Sequence, residues 1–259
     1  MKQFFLVILF TFKIYLSFSQ GEIDTEHKIL FRNEKSYGIS LNTNGFGLGY
    51  RFAKHINIHK KNIYEGDFSI IKHEKEYKRT NPYSPNLFRF VYGKKNSVFG
   101  IRFGAGMQHE LYRKFDRNSI SIRWFYLGGI TAAFLKPIYY QIYNDTFKTL
   151  TWQKFVHNTP WWYIYDKEPY LNGVSEMSIV PGIYAKTGFS FEFGKTDKRL
   201  NIIEAGISFD AYIKELDILD TEKNPQFIPV LFLTYRFGKV ESGYYLKEQD
   251  EGTYKKKKK

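Results

Sequence analysis

The sequence predicts an all-β protein, an antiparallel transmembrane β-barrel of about ten strands within a range of roughly eight to twelve. The first support is the stretch Ser97–Leu111, in which apolar side chains alternate with glycines and charged or amide residues. Successive side chains of a strand point to opposite faces. One face here is therefore apolar, and the other carries glycines and polar side chains. A wall between lipid and a crowded polar interior requires these two faces.

The amino terminus is the second support, because it has the layout of a cleaved secretory signal. Met1–Gln3 is a short basic start, and Phe4–Phe18 is an apolar run broken by Lys13. The small residues of Ser17–Ser19 precede the expected cleavage site, and the run is too short for a spanning helix, which needs about 20 apolar residues. The predicted segments are a signal peptide (1–19), an N-terminal periplasmic segment (20–35), an outer-membrane barrel (36–239) and a Lys-rich periplasmic tail (240–259).

Composition is the third support. Aromatic residues make up 19% of the chain, although its mean hydropathy is −0.43. A barrel combines these properties, because only every second residue faces lipid and aromatic girdles mark the interfaces. A soluble, aromatic-rich sandwich is the alternative. The chain has no cysteine, which excludes disulfides, zinc–thiolate sites, thiol nucleophiles and a lipidated N-terminal cysteine.

Period-two alternation and turn residues define the individual strands. Asn44-Gly45 is a strong signal for a two-residue turn. Pro229 has no N–H for a ladder, so we expect it near a strand end or a bulge. The predicted strands are Tyr37–Leu41, Phe46–Ala53, Ile63–Lys72, Leu87–Tyr92, Ser97–Leu111, Ser119–Leu135, Ile138–Tyr143, Ile183–Phe193, Leu200–Ile213 and Phe227–Phe237.

The connections predict which end of the barrel faces the periplasm. Bacterial barrels have short periplasmic turns and longer outer loops. With both termini in the periplasm, the longest connections, 73–86, 144–181 and 214–226, lie outside. The short turn at Asn44-Gly45 and the long connection His55–Lys61 are exceptions to this pattern.

Alternation also predicts which charged side chains point into the lumen. A narrow barrel leaves little room for water, so buried charges must pair. The similar numbers of acids and bases favour a packed polar interior, and the alternative is a small-solute channel. The predicted lumen residues are Arg51, Glu65, Asp67, Arg89, Arg102, Glu110, Arg123, Lys186, Glu192, Glu204, Asp210 and Arg236.

The long connection 144–181 is the best candidate for a functional loop, because it collects aromatic side chains. Such residues anchor in the lipid interface, cover the barrel or bind a protein partner. The candidates are Trp152, Trp161, Trp162, Tyr163, Tyr165 and Tyr170.

The sequence predicts no catalytic residue, metal site or cofactor. No GxSxG, HExxH or Walker motif is present. The histidines at 27, 55, 59, 73, 109 and 157 lack the spacing of a catalytic or metal site. A rim enzyme would depend on His73 beside Asp210 or Glu215, and we keep it as a second alternative to the channel. His109 points to the outer face by alternation.

The net charge of +13 indicates anionic partners. Because the chain is expected to leave the cytosol, we expect no nucleic acid among them. Outer-membrane lipid, lipopolysaccharide and an acidic envelope protein fit instead. The lysine run 255–259 follows an acidic stretch, 248–251, and is typical of a solvated tail.

Several segments resemble a group of small, poorly characterised outer-membrane β-barrels of Bacteroidota. They are the signal ending Ser17–Gln20 and the segments Tyr126–Gly129, Phe134–Pro137 and Ile179–Lys186. The likeness spans about Tyr37 to Lys239 and brings no catalytic motif. The resemblance implies a partner role in larger envelope assemblies, such as the barrel-assembly or type IX secretion machineries. The sequence thus favours a non-enzymatic structural or accessory barrel.

Overall fold

The structure is a computed structural model that describes residues 32–57, 59–84, 89–113, 119–144, 149–167, 169, 172–193 and 199–242. The predicted signal peptide and nearly all of the Lys-rich tail lie outside these residues. The described strands are β1 (Arg32–Asn42), β2 (Gly45–Asn57), β3 (Lys60–Ile71), β4 (Lys78–Thr80), β5 (Arg89–Val91), β6 (Asn96–Tyr112), β7 (Ser121–Pro137), β8 (Tyr139–Asn144), β9 (Thr149–Lys154), β10 (Ile164–Lys167), β11 (Ser178–Phe193), β12 (Arg199–Tyr212) and β13 (Phe227–Ser242). Two short 3-10 helices cover Trp161–Tyr163 and Val174–Glu176. Within the described part of the chain, no helix has the length and apolar character needed to cross a bilayer.

Eight strands form a closed antiparallel barrel in the order β1-β13-β12-β11-β7-β6-β3-β2. The barrel closes where β1 pairs with β13, from Arg32 opposite Ser242 to Asn42 opposite Phe232. The antiparallel barrel is confirmed, and its eight strands lie at the lower limit of the predicted range of eight to twelve, below the central estimate of ten. Both barrel ends also extend beyond the predicted limits of 36 and 239.

Two predicted barrel strands lie outside the barrel. Within the predicted Leu87–Tyr92 strand, β5 has three residues and pairs with β4. The Ile138–Tyr143 prediction corresponds to β8, which has six residues and forms a separate sheet with β9 and β10. These strands are too short for the barrel wall, whose strands have 11 to 17 residues. Alternation identified the strands but not the sheet to which each belongs.

The two ends of the barrel differ. The end that contains Arg32 and Ser242, called the turn end, also carries the β2–β3, β6–β7 and β11–β12 connections. The opposite end, called the loop end, carries the turn at Thr43-Asn44 and the longer segments 72–95, 138–177 and 213–226. The long segments therefore leave from the end of the barrel opposite its first and last residues, Arg32 and Ser242, as the sequence predicts.

The outer wall of the barrel is apolar and exposed. Phe103, Ile130 and Ile183 each leave more than 60% of their surface accessible. Aromatic rings also meet on this wall, and Tyr37 and Tyr50 lie 5.2 Å apart between ring centres. An apolar surface this large on a monomer marks contact with a membrane or another protein.

Pro229 is near a strand end, as its missing N–H requires. It is the third residue of β13 and lies opposite Phe209 of β12. The carbonyl of Leu231 accepts a hydrogen bond from the N–H of Thr43, at 3.0 Å, on the β1 side. Since alternate residues present their backbone groups to the same side, Pro229 also faces β1. That strand has already ended at Asn42, so no ladder bond is lost.

We expect Gly104→Ala to destabilise the barrel, because an added Cβ at residue 104 would lie 2.3 Å from the hydroxyl oxygen of Tyr184. Overpacking of this kind costs about 1 to 3 kcal/mol. Urea unfolding of the refolded barrel, followed by heat-modifiable gel mobility, measures the effect. Gly66→Ala is the control, because its Cβ would meet the Phe103 ring at 3.4 Å. Equal losses in both variants would contradict a tightly packed interior.

Candidate functional site

A buried network of six charged side chains fills the middle of the lumen. Arg236 donates from Nε to Glu204, at 2.7 Å, and from Nη2 to Glu65, at 2.8 Å. Arg51 contacts both of these carboxylates. Lys186 contacts Glu65 and lies 3.0 Å from Asp67. The three cations face three anions, and the side chains of Glu65 and Glu204 have no solvent exposure.

Five wall strands converge to build this network. Arg51 comes from β2, the two β3 acids are Glu65 and Asp67, and β11, β12 and β13 supply the remaining three residues. The hydroxyl of Ser190 donates to Glu204 at 2.9 Å. Buried charges are tolerated when opposite charges and hydrogen bonds compensate them. The mutual contacts provide that compensation within this lumen.

Two smaller charge groups lie above and below the central network. Towards the loop end, Arg102 binds Asp210 through two hydrogen bonds of 2.8 and 2.5 Å. Towards the turn end, Glu34 contacts Lys61 and lies 3.1 Å from Arg123. Arg123 also contacts Glu192, and Glu110 accepts a hydrogen bond from Ser121 at 3.3 Å.

The lumen prediction omitted two residues and included one that lies elsewhere. Glu34 and Lys61 are buried, whereas the sequence predicts that Glu34 lies in the N-terminal periplasmic segment and Lys61 in the connection His55–Lys61. The prediction that Arg89 points into the lumen is wrong. Its side chain is exposed on β5, because that strand belongs to the two-stranded sheet outside the barrel.

An apolar plug occupies the loop end of the lumen. Leu216, Ile218 and Leu219 of the segment 213–226, called the plug loop, are 0–3% exposed and join an apolar cluster. The other members of that cluster are Ile71, Val98, Ala133, Leu135, Val180, Tyr212, Ile228 and Val230. The sequence predicts an ordinary outer loop here, although the spaced apolar residues of this segment are a usable signal for burial.

Hydrogen bonds fasten the plug loop to the turn after β5. The carbonyl of Ile218 accepts from the N–H of Lys95 at 3.0 Å, and the N–H of Asp220 donates to the carbonyl of Gly93 at 2.7 Å. The amide oxygen of Asn224 accepts from the N–H groups of Ile218 and Leu219, each at 3.1 Å. The plug loop is therefore a folded part of the barrel.

The described parts of segments 72–95 and 138–177 fold together into a small layered structure, called the cap. Its core consists of Phe90, Ile138, Tyr140, Ile142, Phe155 and Ile164. The fully buried Asn81 donates to the carbonyls of Trp162 and Ile164, at 2.9 and 2.8 Å. The hydroxyl of Ser84 donates to the carbonyl of Tyr165 at 2.8 Å. The two segments thus hold each other in place.

The predicted aromatic residues divide into surface and core positions of the cap. Trp152 and Trp162 are 47% and 44% exposed. Trp161 and Tyr163 pack against the cap core, and Tyr165 is half-buried beside Tyr143. Tyr170 lies outside the described residues.

The histidines do not form the pair on which a rim enzyme would depend. His73 accepts a hydrogen bond from the N–H of Lys75 at 3.0 Å, whereas Asp210 is bound by Arg102 inside the lumen. His109 stacks on Tyr126 on the outer wall, with 5.9 Å between ring centres. Among the residues described, no three His, Cys, Asp or Glu side chains are grouped as metal ligands.

Comparisons with known proteins find similar solved structures, but no matching family model and no matching curated protein. Ail, the attachment invasion locus protein of Yersinia pestis, was solved with the heparin analogue sucrose octasulfate. It is 10% identical, with a TM-score of 0.40 over 82% of this chain and 100% of Ail. Neisserial surface protein A is 8% identical, with a TM-score of 0.38 over 81% of this chain and 96% of its own. With similarity this low, the barrel's own surface is the basis for placing it in a membrane.

We expect Glu204→Gln to destabilise the barrel strongly, because Arg51 and Arg236 would lose a shared buried counter-charge. Breaking a buried pair in this way costs about 3 to 5 kcal/mol. Urea unfolding in detergent measures the loss. Glu241→Gln is the control, since its pair with Lys35 is exposed and should contribute little. A Glu204 variant as stable as the control would show that the network does not support the fold.

We expect attachment of the plug loop to depend on pH through Asp220. Partial burial raises the pKa of Asp220, but hydrogen bonds from Lys95 and His157 outweigh it and hold the pKa below its ordinary 3.8. The carboxylate therefore stabilises the loop above this value, and the stabilisation is lost as pH falls through the lower folded pKa. Hydrogen exchange of the backbone N–H groups of residues 216–221, followed as a function of pH, measures how firmly the plug loop is attached.

In that experiment, Asp220→Asn should lower protection at pH 7, and the difference from the native protein should shrink in acid. Asp217→Asn is the matched control, because Asp217 is an exposed carboxylate on the same loop. A difference that stays constant down to the most acidic condition would exclude the Asp220 carboxylate as the cause.

Proposed function

We propose that the protein is an outer-membrane β-barrel with a closed lumen, which holds its cap at the cell surface as an accessory component of a larger envelope complex. In this role the cap contacts another envelope protein, and the barrel serves as its anchor. The role is structural and non-enzymatic.

The outer wall supports the membrane location. A barrel strand crosses a bilayer with about 9 to 11 residues, and every wall strand has at least 11. Closure leaves no wall strand with an unpaired edge in lipid. The apolar wall and the signal-like amino terminus agree with export to the outer membrane. The loop end, with its cap, then faces outwards.

The filled lumen is the observation that carries the proposed role. An eight-stranded barrel has an interior just wide enough for side chains. Here the charge network occupies the middle and the plug loop covers the loop end. This arrangement favours an anchor over the narrow channel that the sequence leaves open. The cap is then the part of the protein that contacts a partner.

The cap has the properties of a binding surface. Its described surface exposes Trp152 and Trp162, and aromatic residues are frequent at the centre of protein interfaces. Segment 72–95 also presents exposed cations, which suit lipopolysaccharide phosphates or an acidic protein. These cations are Lys72, Lys75, Lys78, Arg79 and Arg89. The resemblance to Bacteroidota barrels makes the barrel-assembly and type IX secretion machineries the complexes to examine first.

We expect the tagged protein, extracted gently from native membranes, to purify with a stoichiometric set of envelope proteins. Trp162→Ala should reduce this set without loss of the folded barrel, because that ring is on the cap surface. Mass spectrometry of the purified material measures the result. Tyr112→Ala is the control, since Tyr112 is 67% exposed and ends β6 at the turn end of the barrel, opposite the cap.

A protein that purifies alone would contradict the accessory role. If the same material then conducts ions in planar bilayers, and neutralising Arg102 or Glu110 changes the conductance, the protein is a channel instead.

A further inference from the structure

The outer strand β9 of the cap has one backbone edge with which no described strand pairs. In the three-stranded sheet, β8 lies between β10 and β9. All six residues of β9 are exposed. Alternate residues of an antiparallel strand direct their N–H and C=O groups away from the neighbour. β9 therefore offers about 20 Å of hydrogen-bonding edge, at roughly 3.3 Å per residue.

The two edges of this sheet differ in protection. On β10, the register shifts between Ile164 and Asp166, the last two residues are charged, and Pro169 follows closely. Bulges, charges and prolines are the usual means of preventing unwanted strand pairing. β9 has no proline, and its register with β8 is unbroken over six residues. Its one charged side chain, Lys154, is at its last position and pairs with Glu176 at 2.7 Å.

The side chains of β9 indicate what an added strand would contact. Leu150 and Trp152 lie opposite Tyr143 and Gln141, on the face away from the cap core. They are 45% and 47% exposed. An added strand would place every second side chain beside them, so apolar residues at alternate positions fit this face.

The charge near the three-stranded sheet indicates which kind of partner peptide would bind to β9. The segment 72–95 packs against the sheet through Tyr92, whose ring is 5.4 Å from that of Phe155, directly after β9. In its described part, five exposed cations outnumber the one exposed anion, Glu74. This excess attracts an acidic segment and disfavours a second copy of the cap, which carries the same charges.

We propose that β9 is a docking strand, which binds an extended acidic segment of a partner polypeptide by strand addition. The proposal rests on the proposed accessory role and names the chemistry of its partner. Backbone hydrogen bonds to β9 supply affinity, and alternate apolar side chains beside Leu150 and Trp152 supply specificity.

The test measures binding of a fluorescent peptide, Glu-Val-Thr-Val-Glu-Val-Thr-Val-Glu, to the full-length protein in detergent by anisotropy. We expect saturable binding. N-methylation of two neighbouring central residues removes an N–H from each edge of the peptide. It should weaken binding by about tenfold or more, the change expected for losing one or two hydrogen bonds. A peptide with lysine in place of glutamate should also bind more weakly.

Protein variants locate the site. Leu150→Ser combined with Trp152→Ser should weaken binding by about tenfold, on the scale of the lost apolar contacts. Tyr83→Ser should leave it unchanged. Heat-modifiable gel mobility verifies that each barrel is folded.

Four results would overturn the proposal: no saturable binding to the native protein, equal binding of the N-methylated peptide, equal binding of the lysine peptide, or equal binding by the double variant. A dimer in sedimentation experiments that the double variant dissociates would make a second copy the occupant instead. Loss of peptide binding in a protein that still purifies with envelope partners would overturn the docking strand alone. A protein that binds the peptide but purifies alone would contradict the accessory role.

Discussion

The buried ions of this narrow barrel must neutralise one another, and that requirement governs how the lumen is packed. An ion moved out of water without a partner is very costly, and this lumen holds three groups of buried ions. Each group contains both signs in close contact. The space left by inward glycines, such as Gly104 beside Tyr184, lets large side chains meet across the lumen. The same packing occupies the volume that a pore would need.

The barrel wall was largely predictable from sequence, because a wall strand experiences lipid on one side and a polar interior on the other. Ser97–Leu111 showed that alternation clearly, and Phe103 and Arg102 lie on the expected faces. The strand count was less predictable. β8 also alternates, since Tyr140 and Ile142 face the cap core while Tyr139 and Gln141 do not. Alternation therefore identifies a two-faced strand, whether its apolar face meets lipid or a small core.

The lumen could be predicted as a set of residues but not as a set of pairs. The alternation of side chains predicts that Arg51 and Glu204 point into the lumen. These two contacting residues are nevertheless 153 positions apart in sequence. Their meeting depends on barrel closure and strand tilt, which single strands do not encode. The plug loop illustrates the same limit. Leu216 and Ile218 stand in a polar connection, and their burial depends on the apolar upper lumen that distant strands create.

The network also constrains how the barrel forms. Arg236 is on β13, the last of the described strands, and its contact with Glu65 joins residues 171 positions apart. A chain with every wall strand except β13 would leave Glu65 and Glu204 without this guanidinium. Contacts this distant in sequence slow folding, and here they couple the final strand to acids placed early in the chain. Barrel closure is therefore expected to be one cooperative event, in which β13 and the buried acids of β3 and β12 come together at the same time.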